Sequence, residues 1–155
     1  METRVAESKD ANEITRVINA AFRKAEGFLI DQDRIDIETV RSLMGKGKFL
    51  LTEEEGCLIG CVYLEPRGKR MYLGLLSVDP ARQKSGLGSM LLKAAEENCF
   101  REGFGFMDLR IVNLRTDNHA FYSRRGYVET GTEAFPSGLN PKLPCHFVLM
   151  SKRLG

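Results

Sequence analysis

No apolar run in this chain approaches the roughly 18–20 residues that cross a bilayer, so no membrane segment is expected. The opening residues, METRVAESKDANE, alternate charge with small side chains and lack the apolar stretch of a signal peptide. Cysteine is sparse. Cys57, Cys61, Cys99 and Cys145 form no C-x-x-C pair, and only His119 and His146 could join them. That spacing argues against a zinc site, and no metal is expected. Reduced core cysteines in a cytoplasmic protein are the simpler reading, with Cys57 and Cys61 sharing one face of a strand. An excess of one charge is also missing: 23 Lys and Arg stand against 21 Asp and Glu, a formal net charge of +2. So even a balance does not point to nucleic acid, and any anion site must be local. No internal repeat or low-complexity stretch occurs.

What is present fits one folded unit over residues 1–155. A chain of 155 residues, 43% hydrophobic and 28% charged, buries roughly 68–70% of its unfolded surface without staples. Residues 4–7 read as a first strand. Asp10, with Glu13 three residues on, reads as a capping box for a helix carrying Ile14, Val17, Ile18, Ala21 and Phe22 at helical spacing. Lys24–Arg34 has no clean period and reads as a loop or broken helix, the kind of connection that lines a site. Asp36 caps a second helix, Ile37–Met44, that Gly45 and Gly47 end.

Three strand-like runs follow, 48–52, 57–66 and 70–78, with connections short enough to demand antiparallel hairpins. A long helix spans Gly86 to about Glu102, and MDLRIV reads as an apolar strand buried on both faces. A short helix near 119–125 and strands at 127–132 and 145–151 complete the chain, the last two separated by a loop at 135–144. The fold class expected is α/β (α+β): a mixed, mostly antiparallel sheet of six or seven strands flanked by about four helices, with a β-α-β crossover in the middle.

The chemistry signal lies in LLSVDPARQKSGLGSMLLKAAEE, residues 75–97. A strand ends at Val78 and a glycine-bearing turn opens a helix with no acidic residue in its first two turns. Free N–H groups and the helix dipole make such a terminus a ready anion site. Gly86 and Gly88 allow close approach to the backbone, Ser85 and Ser89 add hydroxyls, and Arg82 and Lys84 put positive charge at the mouth. The spacing predicts a phosphate or pyrophosphate on residues 83–89. A lone Gly-x-Gly equally suits a plain strand-to-helix turn. The Gly-Lys-Ser/Thr of a Walker loop is absent, and a dinucleotide fingerprint would need glycine where Leu91 stands.

With Val78, Asp79-Pro80 and then Gln83-Lys84-Ser85-Gly86-Leu87-Gly88, the sequence resembles the GNAT acetyltransferase superfamily, whose cofactor motif runs Arg/Gln-x-x-Gly-x-Gly/Ala at a helix start. A second likeness follows at the right separation: Phe121-Tyr122-Ser123-Arg124-Arg125-Gly126-Tyr127 is similar to the family's F-Y-x-x-x-G-F/Y. The order of elements resembles that fold across nearly the whole chain.

The resemblance implies acetyl-CoA as cofactor and direct transfer of its acetyl group to a primary amine of a small molecule or peptide. It implies that the pantetheine arm lies along Leu76, Ser77 and Val78, with the Leu76 N–H as an oxyanion donor, and that Gly74 accommodates a bulge. It further implies that the pyrophosphate takes the amides of residues 83–88, and that Tyr122 is the general acid. The glutamate that several members carry in the strand before the loop is replaced here by Tyr72. That leaves Glu26, Asp31 or His146 as candidate bases. The family's asparagine, seven residues before the tyrosine, is Arg115 here, so Asn113 or Asn118 would take its role, Asn113 being preferred; Arg115 would meet a phosphate or solvent. Arg110 interrupts an apolar strand and is either a clamp on an acidic group of the acceptor or an exposed-face residue. Glu26, Tyr72, Arg110 and His146 are therefore the candidate substrate residues.

Two other readings stand beside the transferase: an acyl-CoA-binding sensor that no longer catalyses, and a nucleotide-phosphate-binding protein. No nucleic-acid or membrane partner is expected. The resemblance allows a homodimer paired through the last strands.

Overall fold

The computed structural model describes residues 2–136 and 138–155; the side chains of residues 83–85 lie outside that description. One seven-stranded sheet organises the chain in the order β1-β2-β3-β4-β5-β7-β6. Its strands are β1 (Thr3–Val5), β2 (Lys48–Glu54), β3 (Cys57–Arg67), β4 (Arg70–Val78), β5 (Phe106–Val112), β6 (Val128–Ala134) and β7 (His146–Arg153). Neighbours run antiparallel except β4 and β5, which are parallel and joined by the crossover helix α3 (Leu87–Arg101). The other helices are α1 (Ala11–Glu26), α2 (Ile37–Lys46) and α4 (Thr116–Ser123).

Each face of the sheet has its own apolar layer. Ile14, Val17 and Ile18 of α1 and Val40 of α2 pack on Phe49, Leu51, Cys61 and Tyr63. On the other face Leu91, Leu92, Ala95 and Cys99 of α3 meet Val62, Leu64, Met71, Leu73 and Leu109, with Tyr122 and Tyr127 at one end. Strand residues alternate between these layers with period two, which is why β3, covered on both sides, is apolar almost throughout. Burial pushes the Cys61 and Cys99 thiols up to about 12, so both are inert core residues at neutral pH.

Several local expectations are corrected. Asp10 does not form a capping box with Glu13; its carboxylate instead accepts from the Glu7 N–H at 2.7 Å and from the Arg4 guanidinium at 2.9 Å, closing a 3-10 turn at Ser8–Asp10. Residues 24–26 belong to α1 rather than to the loop. Gly45 lies inside α2, which Gly47 ends, while Asp36 caps it as expected by accepting from the Thr39 N–H at 2.8 Å. Cys57 is exposed. Strand β5 is not buried on both faces: Met107, Leu109 and Ile111 point inward, while Asp108 and Arg110 take the half-exposed face. There Asp108 accepts both nitrogens of an Arg70 fork at 2.7 Å, and Arg110 pairs with Glu133 at 2.5 Å.

Candidate active site

The site begins where β4 and β5 part. Their parallel register holds only at Met71–Met107 and Tyr72–Asp108, after which the strands separate. The gap is a cleft of about 780 Å³ lined by Tyr72–Leu76 and Val78 on one side and Leu109–Val112 on the other.

A bulge in β4 sets this geometry. Cys61 pairs with Ser77 and Tyr63 with Gly74, so Val62 alone faces both Leu75 and Leu76. The left-handed backbone sits on Leu75, at φ +55°, and not on Gly74. Such a conformation costs a non-glycine residue on the order of 1–2 kcal/mol. Leu75 packs toward the α1 layer and Leu76 toward the α3 layer, and the Ser77 hydroxyl donates to the Leu75 carbonyl at 2.9 Å, so the bulge is held from three directions. Gly74 serves another purpose. A Cβ there would lie 2.9 Å from Cε2 of Tyr72, so its absence lets the Tyr72 ring lie against the strand. The Arg67 guanidinium, 4.0 Å above that ring, covers it.

At the far end of β4, Asp79 caps a 3-10 turn over Pro80–Ser85 by accepting from the Ala81 N–H at 3.1 Å. Gly86 then takes φ +73° as the N-cap of α3, and a Cβ on it would meet nothing within 4 Å. The first turn of α3 carries no acidic residue, and Gly86, Gly88 and Ser89 line the cleft. Leu87 points into the core, so only its backbone faces this end. The side chains of Gln83, Lys84 and Ser85 lie outside the described residues. Arg82 forms an ion pair with Glu54.

One contributor was absent from the sequence reading. Arg125 lines the cleft, stacks 3.8 Å over the Phe121 ring and donates from Nε to the Ser89 hydroxyl at 3.2 Å. The signal existed: Arg125 stands four residues after Phe121, the spacing that brings side chains together at a helix end.

Tyr122 lines the cleft from α4. It is 6% exposed and held edge-on against Phe121 and Tyr127, with ring centroids at 5.1 and 5.6 Å. Burial pushes its phenol well above the ordinary value, so the hydroxyl is protonated throughout the physiological range.

Glu26, at the end of α1, meets Arg115 at 2.9 Å, and each side chain is 13% exposed. The Arg115 fork is largely spent elsewhere: Asp117 takes two of its nitrogens at 2.9 and 2.8 Å, and Asn118 accepts at 3.2 Å. Burial therefore outweighs the single arginine contact and raises the Glu26 carboxyl. For Arg115 burial pulls downward, but the bonds and charge of Asp117 and Glu26 raise it on balance. Arg115 is thus a partner of Glu26 rather than a solvated side chain.

The remaining expected residues divide. Tyr72, Arg110 and Asn118 line the cleft, as does Asp31, which Lys142 holds at 2.7 Å. Asn113 and His146 do not line it; they bond to one another through the Asn113 side chain and both backbones, at 2.9 Å in each case, and tie the end of β5 to the start of β7. Ser77 is buried and serves the bulge.

Strands that part beside a bulge, a glycine-opened helix terminus and a buried tyrosine at the gap define an acyltransferase of the GNAT type. The family model described as Acetyltransferase (GNAT) family matches residues 12–127, and the chain belongs to that family. Its cofactor is therefore acetyl-CoA, and the observed cleft fits it: a long gap for an extended arm, closed by an anion-ready helix end that a Cβ would not crowd. The chain is similar to the S-(2-succino)cysteine N-acetyltransferase of Bacillus subtilis (strain 168), with 26% identity over 149 residues, 87% of this chain and 88% of that one. Among solved structures it resembles the ribosomal-protein-alanine N-acetyltransferase of Brucella melitensis, with a TM-score of 0.81, 18% identity and coverage of 99% and 100% of the two chains. It also resembles the PaiA N-acetyltransferase of Thermoplasma acidophilum in complex with coenzyme A, with a TM-score of 0.70, 16% identity and 99% coverage of each chain.

Proposed function

We propose that this chain transfers the acetyl group of acetyl-CoA directly to a primary amine of a small molecule or peptide. The observation that carries this reading is the convergence of Glu26 and Tyr122, a carboxyl raised by burial and a phenol kept protonated by it, on one cleft. Bound acetyl-CoA supplies an activated thioester, whose C–S bond breaks as the new C–N bond forms.

The residues of the chain do the rest. The backbone of Leu76–Val78 holds the pantetheine arm, the Leu76 N–H faces the developing oxyanion, and the amides of residues 83–88 with Ser89 and Arg125 hold the pyrophosphate. The Glu26 carboxylate takes a proton from the acceptor ammonium, either directly or through one water, to expose the nitrogen lone pair. The Tyr122 hydroxyl gives its proton to the departing sulfur, and the second proton that the nitrogen sheds as the amide forms restores the phenol through solvent. Tyr72, Arg110 and Asn118 shape the acceptor side. Two residues are reassigned: Asn113 and His146 brace β5 against β7 and have no direct part in this scheme.

The test is amine-dependent release of free thiol from acetyl-CoA over a panel of small amines and short peptides. The wild-type protein should turn over at least one of them, and Tyr122→Phe should lower kcat by about 10²–10⁴. Thiol release that no amine accelerates would contradict the reading.

A further inference from the structure

The carboxylates that line the cleft are all engaged by cations of the protein itself. Glu26 and Asp117 are held by Arg115, Asp31 by Lys142 at 2.7 Å, and Asp33 by Arg23 at 2.7 Å. Arg34 is the counterpart. Its side chain lines the cleft from the loop after α1, 5.4 Å from the Phe22 ring centroid, and among the described residues no carboxylate forms an ion pair with it. The charges of Glu26 and Arg110 act on it across the cleft. Arg110 is already committed to Glu133, and Lys24, the other cation of this lining without an ion pair among the described residues, offers a single ammonium in place of a planar fork.

Position sorts the cleft into two ends. Tyr122 packs edge-on against Phe121, over whose ring Arg125 stacks, so it adjoins the Ser89–Arg125 end, while Glu26, Tyr72 and Arg34 line the rest of the cleft. The cation at Ser89 faces the cofactor side. Arg34 faces the acceptor side, where an ordinary amine offers it nothing and a second ammonium would be repelled.

We propose that the acceptor carries a carboxylate on the same small molecule as its amine, as a free amino acid does, and that Arg34 is the residue that selects it. A planar guanidinium that pairs with no carboxylate among the described residues matches an acceptor carboxylate with two parallel N–H···O bonds. The same pairing leaves the acceptor ammonium free for the Glu26 carboxylate. This inference rests on the transferase reading above and names its substrate class.

The experiment compares matched pairs as acceptors for the full chain with acetyl-CoA: L-phenylalanine against 2-phenylethylamine, L-methionine against 3-(methylthio)propylamine, and L-lysine against cadaverine. Direct binding of the same compounds to the coenzyme A-saturated protein is measured by calorimetry. Wild-type protein should favour the amino acid in kcat/KM and in affinity by on the order of 10- to 100-fold, the size of a charge-assisted pair. Arg34→Gln should bring that ratio near unity, and Arg34→Lys should leave it intermediate, with melting temperatures confirming that each variant is folded. A wild-type ratio at or below unity, or a ratio that Arg34→Gln leaves intact, overturns the inference while the transferase reading stands. Transfer to neither member of any pair, with no binding of either, overturns the inference; thiol release that no amine in the wider panel accelerates overturns the transferase reading as well.

Discussion

Glu26 and Arg115 stand 89 residues apart in sequence and 2.9 Å apart in the structure, the last residue of α1 against the N-cap of α4. The pair is asymmetric, because Arg115 gives one nitrogen to Glu26 and the rest of its fork to Asp117 and Asn118. Glu26 is left as a carboxyl that is ionisable but raised, which is the state a base of this kind requires.

The activity of the enzyme should therefore fall with acid earlier than an ordinary carboxylate would dictate. Glu26 acts when ionised, and its folded value is raised, so kcat/KM drops as pH falls through that raised value. Arg115→Leu removes the counter-charge and should move the acidic limb up by about 1–2 pH units. Glu26→Gln should abolish the limb and lower kcat by about 10²–10⁴. A pH–rate profile of the three proteins checks both.

Stability should carry the signature of the same residue with the opposite slope. A carboxyl raised by burial contributes stability that is complete below its unfolded value and is lost as pH rises through the folded one. Asp10 runs the other way. The Arg4 hydrogen bonds lower it to about 2, so its contribution is complete above its unfolded value and is lost as pH falls toward 2. Asp10→Asn should cost about 1–2 kcal/mol at neutral pH and nothing in strong acid, measured by urea unfolding across pH.

Gly86 separates backbone strain from charge. Asparagine tolerates its left-handed conformation better than most residues, so Gly86→Asn should keep most affinity for coenzyme A. Gly86→Asp adds one negative charge at the terminus of α3 and should weaken binding about tenfold or more beyond that, a difference that shrinks with added salt. Titration at two ionic strengths decides this.

Gly74 bears on the acceptor instead. Gly74→Ala places a Cβ 2.9 Å from Cε2 of Tyr72, too close for the ring to stay, so the ring must swing out from beneath Arg67. The acceptor KM should rise several-fold, about 1 kcal/mol in binding, with coenzyme A affinity nearly unchanged. Steady-state kinetics and calorimetry on the one variant test the separation.

Much of this was legible in the sequence because it is written locally. The Val78-to-Gly88 stretch, the hairpin turns and the α1 periodicity each declare themselves within a dozen residues. What escaped depends on partners far along the chain. MDLRIV reads as an apolar strand until Arg70, Ser151 and Glu133 arrive to meet Asp108 and Arg110. Leu75 carries the bulge conformation in place of the neighbouring glycine because cores on both faces and the Ser77 hydroxyl hold it there. The sequence favours Asn113 over Asn118, yet the strand end fixes Asn113 to His146, and it is Asn118, at the helix start, that lines the cleft.

The central claim is that the parted strands and the α3 terminus together hold acetyl-CoA. Calorimetric titration of the wild-type protein with acetyl-CoA, and separately with pantetheine lacking the pyrophosphate, tests it most directly. Acetyl-CoA should bind saturably and one-to-one, with pantetheine weaker by at least about tenfold for the lost phosphate contacts. A folded protein that takes up no acetyl-CoA, or that binds pantetheine equally well, would contradict it.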